Sequence, residues 1–222
     1  MKRLLFYPFV LLLLITGSCQ REISQEIISG GGSGGGTGDY QPVSAGSEWN
    51  YTALSLGNYS LKALGTDSTI NGRKYYKFDQ TIAGTTNRAY MGKANNVYYS
   101  YGSQTVGGTP VSVDYFVILK DTAVGGTWTN TINTGFVNAY YKYTVTGRDL
   151  NRTVLGKSYS SVIELTTQLL IDDPLGGGIP IPIGTGKDYY AKGVGAIESF
   201  NSVSFFGVSQ TDTTRLVSYT IR

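Results

Sequence analysis

The sequence predicts an all-β, antiparallel protein: an internally duplicated meander forming a curved sheet, a half-barrel or a sandwich. Three observations predict it. The composition is rich in residues that fit a pleated, half-buried surface, with 18 Tyr and 8 Phe beside many Val and Thr, and 30 Gly to punctuate them. Strand-like alternation recurs in twelve stretches, and no stretch after residue 38 carries a convincing helical period. Motifs in the first half return in the second at offsets near 80 residues.

The chain opens with Met1, Lys2 and Arg3, a short positive region, followed by an apolar run over residues 4–15 interrupted only by Tyr7 and Pro8. Twelve helical residues span about 18 Å, well short of the roughly 30 Å hydrocarbon core. This is the length of a secretory leader and not of a membrane-spanning helix. Small residues then lead into Cys19, the single Cys of the chain. Thr16-Gly17-Ser18-Cys19 resembles the bacterial lipoprotein signal. That resemblance implies removal of residues 1–18, a diacylglycerol on the Cys19 sulfur and acylation of its amine, palmitate included. Two or three acyl chains on one residue give stable anchoring, where one chain is marginal. Gln20 leans towards the outer membrane, and Gln20-Arg21-Glu22 leaves the leaflet open.

Residues 19–38 read as a tether. Residues 22–28 are too few for a stable isolated helix, and the run GGGSGGGTG over 30–38 is a flexible coil. The folded part is expected over residues 39–222 as one domain of two repeats, about 39–120 and 121–222.

Strands are predicted at 49–56, 59–64, 74–82, 88–92, 97–101 and 111–120, then at 127–132, 138–147, 158–170, 187–191, 195–206 and 215–221. Turn chemistry separates them at Gly57-Asn58, Asn71-Gly72, Asn95-Asn96, Gly107-Gly108 and Gly125-Gly126. Residues 172–186 (DDPLGGGIPIPIGTG) stand apart. Pro180 and Pro182 cannot donate to a ladder, which predicts an extended loop or edge piece and not a central strand. Ile179, Ile181 and Ile183 would share one face, as a binding flap or a lid over the open end of the core.

The repeat is carried by Gly46-Ser47-Glu48-Trp49 with Gly125-Gly126-Thr127-Trp128, by Gly65-Thr66-Asp67 with Gly147-Arg148-Asp149, and by Gly72-Arg73-Lys74-Tyr75 with Gly156-Lys157-Ser158-Tyr159. The second copy departs from the first in having Asn130 where the first has Tyr51. These motifs, with Tyr189-Tyr190-Ala191-Lys192-Gly193-Val194-Gly195, resemble a set of uncharacterised envelope lipoproteins of the Bacteroidota. The resemblance implies a β-rich envelope protein and no particular activity.

Composition narrows the function classes. Taking Lys2 and Arg3 from the 18 basic side chains leaves 16 against 15 acidic ones. A near-neutral chain has no basic excess for phosphates, so no nucleic-acid partner is expected. The absence of His excludes His-based triads and His-containing zinc sites. No cofactor and no metal is expected, since Asp172-Asp173 lacks the rest of a calcium loop.

Asp67-Ser68-Thr69, Asp121-Thr122-Ala123 and Asp212-Thr213-Thr214 resemble the O-glycosylation acceptor of Bacteroidota envelope proteins, with Ser68, Thr122 and Thr213 as acceptors; local turn bonding gives the same triplets. The pairs Tyr75-Tyr76, Tyr98-Tyr99, Tyr140-Tyr141 and Tyr189-Tyr190 would each send one ring inward and one outward. The outward rings are either an aromatic platform for a glycan, peptide or envelope protein, or cross-strand packing. The expectation is a non-catalytic, lipid-anchored outer-membrane protein with a binding or structural role. One alternative is a carrier or chaperone cupping an apolar ligand or lipoprotein in a half-barrel. The other, a carboxylate-dependent hydrolase, would need two carboxylates converging on a cleft.

Overall fold

The computed structural model describes residues 38–106, 109–135, 137–173, 178–205 and 208–222. Cys19, the leader and most of the tether lie outside them. Twelve strands form the described fold. The first six are β1 (Glu48–Ala53), β2 (Gly57–Ile70), β3 (Arg73–Ile82), β4 (Thr85–Ala94), β5 (Val97–Val106) and β6 (Thr109–Lys120). The second six are β7 (Thr127–Asn133), β8 (Asn138–Val154), β9 (Lys157–Ile171), β10 (Ile181–Ala191), β11 (Gly195–Phe205) and β12 (Val208–Thr220).

All twelve belong to one antiparallel sheet in the order β6-β5-β4-β3-β2-β1-β12-β11-β10-β9-β8-β7. A single sheet rules out the sandwich among the predicted arrangements. Strands adjacent in sequence are adjacent in space, and β1 pairs with β12 to join the two runs of six. The sheet twists until its edges, β6 and β7, come together as a nearly closed barrel.

That junction is made by side chains. Asn130 Oδ1 accepts the Val117 N–H at 2.9 Å, and its Nδ2 donates to the Val117 carbonyl, also at 2.9 Å. The Trp128 indole N–H donates to the same carbonyl at 3.0 Å. An amide side chain thus stands in for one rung of a ladder. This gives a physical reason for Asn130 at the position where the first half has Tyr51.

The two runs of six share local bonding. Gly46 N–H donates to the Ala63 carbonyl and Ala63 N–H to the Ser47 carbonyl. Likewise Gly125 N–H donates to the Val145 carbonyl and Val145 N–H to that of Gly126. Just beyond each pair the register shifts, between Ala63 and Asp67 and again between Val145 and Gly147. At Gly65 the backbone is left-handed (φ 69°) and an added Cβ would lie 2.4 Å from that of Ala45, so only glycine fits.

Beyond these bulges β2 and β8 run on past the predicted strand ends, and their hairpins reach over the outside of the wall. Arg152 of β8 bonds Glu198 of β11 although β9 and β10 lie between them. In the first half the Tyr75 hydroxyl of β3 donates to the Asp114 carbonyl of β6 at 2.6 Å, across β4 and β5.

β10 starts earlier than predicted and is an internal strand, with Pro182 within it. Pro182 is tolerated because β10 is paired there only with β9. Pairing with β11 begins at Gly184, and the β9 register shifts between Pro182 and Gly184. Ile183 is buried, whereas Ile179 and Ile181 are exposed, so the three isoleucines do not share one face.

One end of the barrel is sealed by the chain just before β1. Tyr40 is fully buried among Tyr98, Leu119, Trp128, Val145 and Ile163. Its backbone N–H donates to the Tyr98 hydroxyl. Gly193 in the β10–β11 turn donates to the Asp39 carbonyl, and Lys93 beside the β4–β5 turn pairs with the Asp39 carboxylate. The Trp49 indole N–H donates to the Val194 carbonyl at 2.6 Å, closing the same end.

Candidate functional site: the barrel lumen

Alternation along β1 turns Trp49, Tyr51 and Ala53 inward. Cross-strand partners share a face, so Tyr59 opposite Tyr51, and Leu216 on the other side, also point in. The same logic turns Asp188, Ser199 and Thr214 inward as one row across β10, β11 and β12. These side chains do not fill the lumen. A cavity of about 400 Å³ remains, with walls from β1 to β6 and β10 to β12. That volume lies at the small end of sites for organic ligands.

Three inward tyrosines dominate its lining, Tyr51, Tyr59 and Tyr190, and Tyr90 and Tyr101 border it where β4 and β5 part. Tyr51 and Tyr59 stack with centroids 5.0 Å apart, and the Tyr51 hydroxyl donates to the Ala196 carbonyl. Burial pushes the Tyr59 phenol up to about 12 and those of Tyr51 and Tyr190 well above their usual range, so all three stay neutral hydroxyls.

The cavity reaches the wall where β4 and β5 part. Their ladder runs only from Tyr90↔Tyr101 to Ala94↔Val97, and the remaining halves of the two strands are not paired with each other. Ala89, Tyr90, Met91, Ser100 and Tyr101 line the cavity at this gap.

Asp188 is the carboxylate set into the lumen wall. Ser199 Oγ donates to its Oδ1 at 2.6 Å, and Thr167 lies at 3.4 Å from its Oδ2. Burial raises its pKa in spite of these bonds. Glu198 also contributes to the lining, but its carboxylate is held by Arg152 at 2.7 Å and Arg215 at 2.8 Å on the outer side, with its side chain only 5% exposed. The two carboxylates therefore do not converge on the cavity. Among the described residues no Lys or Arg lines it.

The residues singled out from sequence lie mostly elsewhere. Cys19 is outside the described residues. Ser68, Thr122 and Thr213 are half-buried, and the Asp beside each is engaged. Asp67 pairs with Lys74, Asp121 with Arg148, and Asp212 accepts from the Ser55 N–H and hydroxyl.

The eight paired tyrosines do not form one surface. Tyr75 and Tyr99, both buried, meet edge to face at 5.2 Å on the outer wall, against Tyr101 and the exposed Tyr115, and both hydroxyls bond backbone carbonyls. Tyr98 packs on Tyr40, Tyr141 on Phe116, and Tyr76 against the inner cluster. Tyr140 donates to Asp172 at 2.7 Å. Tyr189 lies under the Arg152 guanidinium on the outer wall, while Tyr190 lines the cavity. Only Tyr190 of the eight therefore belongs to the lumen site. Sequence reasoning missed Asp188, whose one signal was its place two residues before Tyr190 in a predicted strand.

No protein-family model matches the chain, and no curated protein matches it. Two solved structures are similar. One is a protein named as a lipoprotein from Parabacteroides distasonis, at 12% identity and a TM-score of 0.49 over 84% of this chain and 100% of that one. The other is a protein named as exported, with a YmcC-like fold, from Bacteroides fragilis, at 9% identity and a TM-score of 0.49 over 83% of this chain and 100% of that one.

Proposed function

We propose that this is a lipid-anchored envelope protein of the outer membrane that holds a small amphipathic ligand in its barrel lumen without transforming it. The lumen cavity carries the reading: about 400 Å³, walled by tyrosines and aliphatic side chains, in a barrel otherwise packed. It supports the carrier alternative over a purely structural role. The diversion of Glu198 into its arginine clamp weighs against hydrolysis, because one lumen carboxylate supplies no acid–base pair.

Ala89 lines the cavity beside the β4–β5 gap, and its side chain can be enlarged towards empty space. Displacement of an environment-sensitive fluorophore by short-chain amphiphiles tests the reading. Ala89→Trp is expected to abolish fluorophore binding with little change in Tm. Undiminished binding to that variant would place the ligand elsewhere. Attachment has its own test. Cys19→Ser is expected to move the protein from the membrane to the soluble fraction with its circular dichroism unchanged. Retention of the variant on washed membranes would remove the lipid anchor from the proposal.

A further inference from the structure

The occupant's charge can be read from the wall, granted that the lumen is a binding site. The phenol rings of Tyr51, Tyr59 and Tyr190 and the Asp188 carboxylate face the cavity, and the basic side chains nearby are committed to Glu198 on the outer side. Tyrosine faces carry negative electrostatic potential and attract cations, more strongly when water is excluded. An anionic head would meet phenol faces and a carboxylate with no cation to offset them. A purely neutral apolar ligand would leave Asp188 in the wall with no role.

Asp188 is also fixed in place for contact. Its Oδ1 is oriented by Ser199, on the neighbouring strand of the same inward row, while Thr167 leaves Oδ2 only weakly bonded at 3.4 Å. Tyr143 and Tyr190 lie close enough for the Asp188 charge to act on their phenols, and Tyr51 and Tyr59, which share the cavity lining, act in turn on Tyr190. A carboxylate beside several ring faces in a confined apolar space is the arrangement that holds ammonium groups.

We infer that the lumen selects organic cations: a protonated or quaternary ammonium group with a short apolar tail, its charge against Asp188 and its head flanked by Tyr51, Tyr59 and Tyr190. The tail lies towards Met91 and Ala89, where the wall opens between β4 and β5. Entry through that gap places the apolar end last, nearest the solvent.

Isothermal titration of the folded protein with octyltrimethylammonium, octyl sulfate and octanol separates the outcomes. The cation is expected to bind at least 10-fold more tightly than either of the others. Asp188→Asn should lose about 10-fold or more for the cation and leave octanol binding unchanged, since the amide still accepts from Ser199. Tyr59→Phe keeps the ring and should retain binding, whereas Tyr59→Leu should weaken the cation selectively, with Tm followed for each variant. Equal binding of all three probes, insensitive to Asp188→Asn, would overturn cation selection and leave the lumen as a binding site. Preference for the sulfate would overturn it outright. Failure of every probe would remove the lumen reading itself.

Discussion

At the scale of single residues, Asn130 has the clearest assignment. Replacing it with Ala removes both bonds to Val117 and leaves a buried N–H without its partner. The expected cost is about 1–3 kcal/mol in chemical denaturation. Amide hydrogen exchange at Val117 should accelerate selectively. The departure of Asn130 from the repeat was legible in the sequence. Its meaning was not, because Val117 lies 13 residues away in a strand that does not pair with β7.

Asp188 gives a second residue-scale prediction. Its folded-state pKa is raised, so at low pH, below the ordinary carboxylate value near 3.9, it is neutral in both states and costs nothing. As pH rises, the unfolded chain releases the proton first and stability falls until the folded value is passed. The groups facing it are the phenols of Tyr143 and Tyr190 and the hydroxyls of Thr167 and Ser199, none of them cationic. Asp188→Asn should therefore match the parent in acid and exceed it at neutral pH. Parallel stability curves across pH 3 to 8 would show that the carboxyl is not paying this desolvation cost.

At the scale of elements, each of the twelve stretches read as strand from alternation corresponds to one of the twelve strands. What alternation could not show was where β2 and β8 end. Gly65 and Gly147 look like strand-ending turns, yet they are bulges through which the backbone bends and continues. The β8–β9 tip is then docked on the outer wall by Arg152, which reaches Glu198 and stacks 3.6 Å over Tyr189. Arg152→Ala leaves Glu198 with Arg215 alone. We expect the tip to undock, at about 1–3 kcal/mol, because a largely buried carboxylate loses one of its two partners. Limited proteolysis should then cut between residues 150 and 160, a segment that stays protected in the parent. Pro182 teaches a related lesson. A proline forbids a rung on one side of a strand only, and here the other neighbour has not yet begun to pair.

At the scale of the whole molecule, the topology is a meander that closes on itself through its first and last strands. Its weak line falls between the two runs of six, where a loop instead of a ladder joins β6 to β7. Each of the two runs opens on a Trp strand, with Trp49 in β1 and Trp128 in β7. The lumen was not legible in the sequence, since its lining is drawn from nine strands and no local pattern records that they meet. Even so, the inward parity of Tyr51, Tyr59, Asp188 and Tyr190 follows from alternation once the register is known. The strap through Tyr40 has a mechanical consequence. Any pull on the chain ahead of residue 38 enters on the sealed end and meets contacts of two kinds. The bonds at Asp39 and Tyr40 are loaded one at a time and peel. The ladders of β1, paired on both sides, are loaded together in shear and hold. Under such a pull the few bonds of the strap are expected to open before the β1 ladders do, leaving the barrel closed.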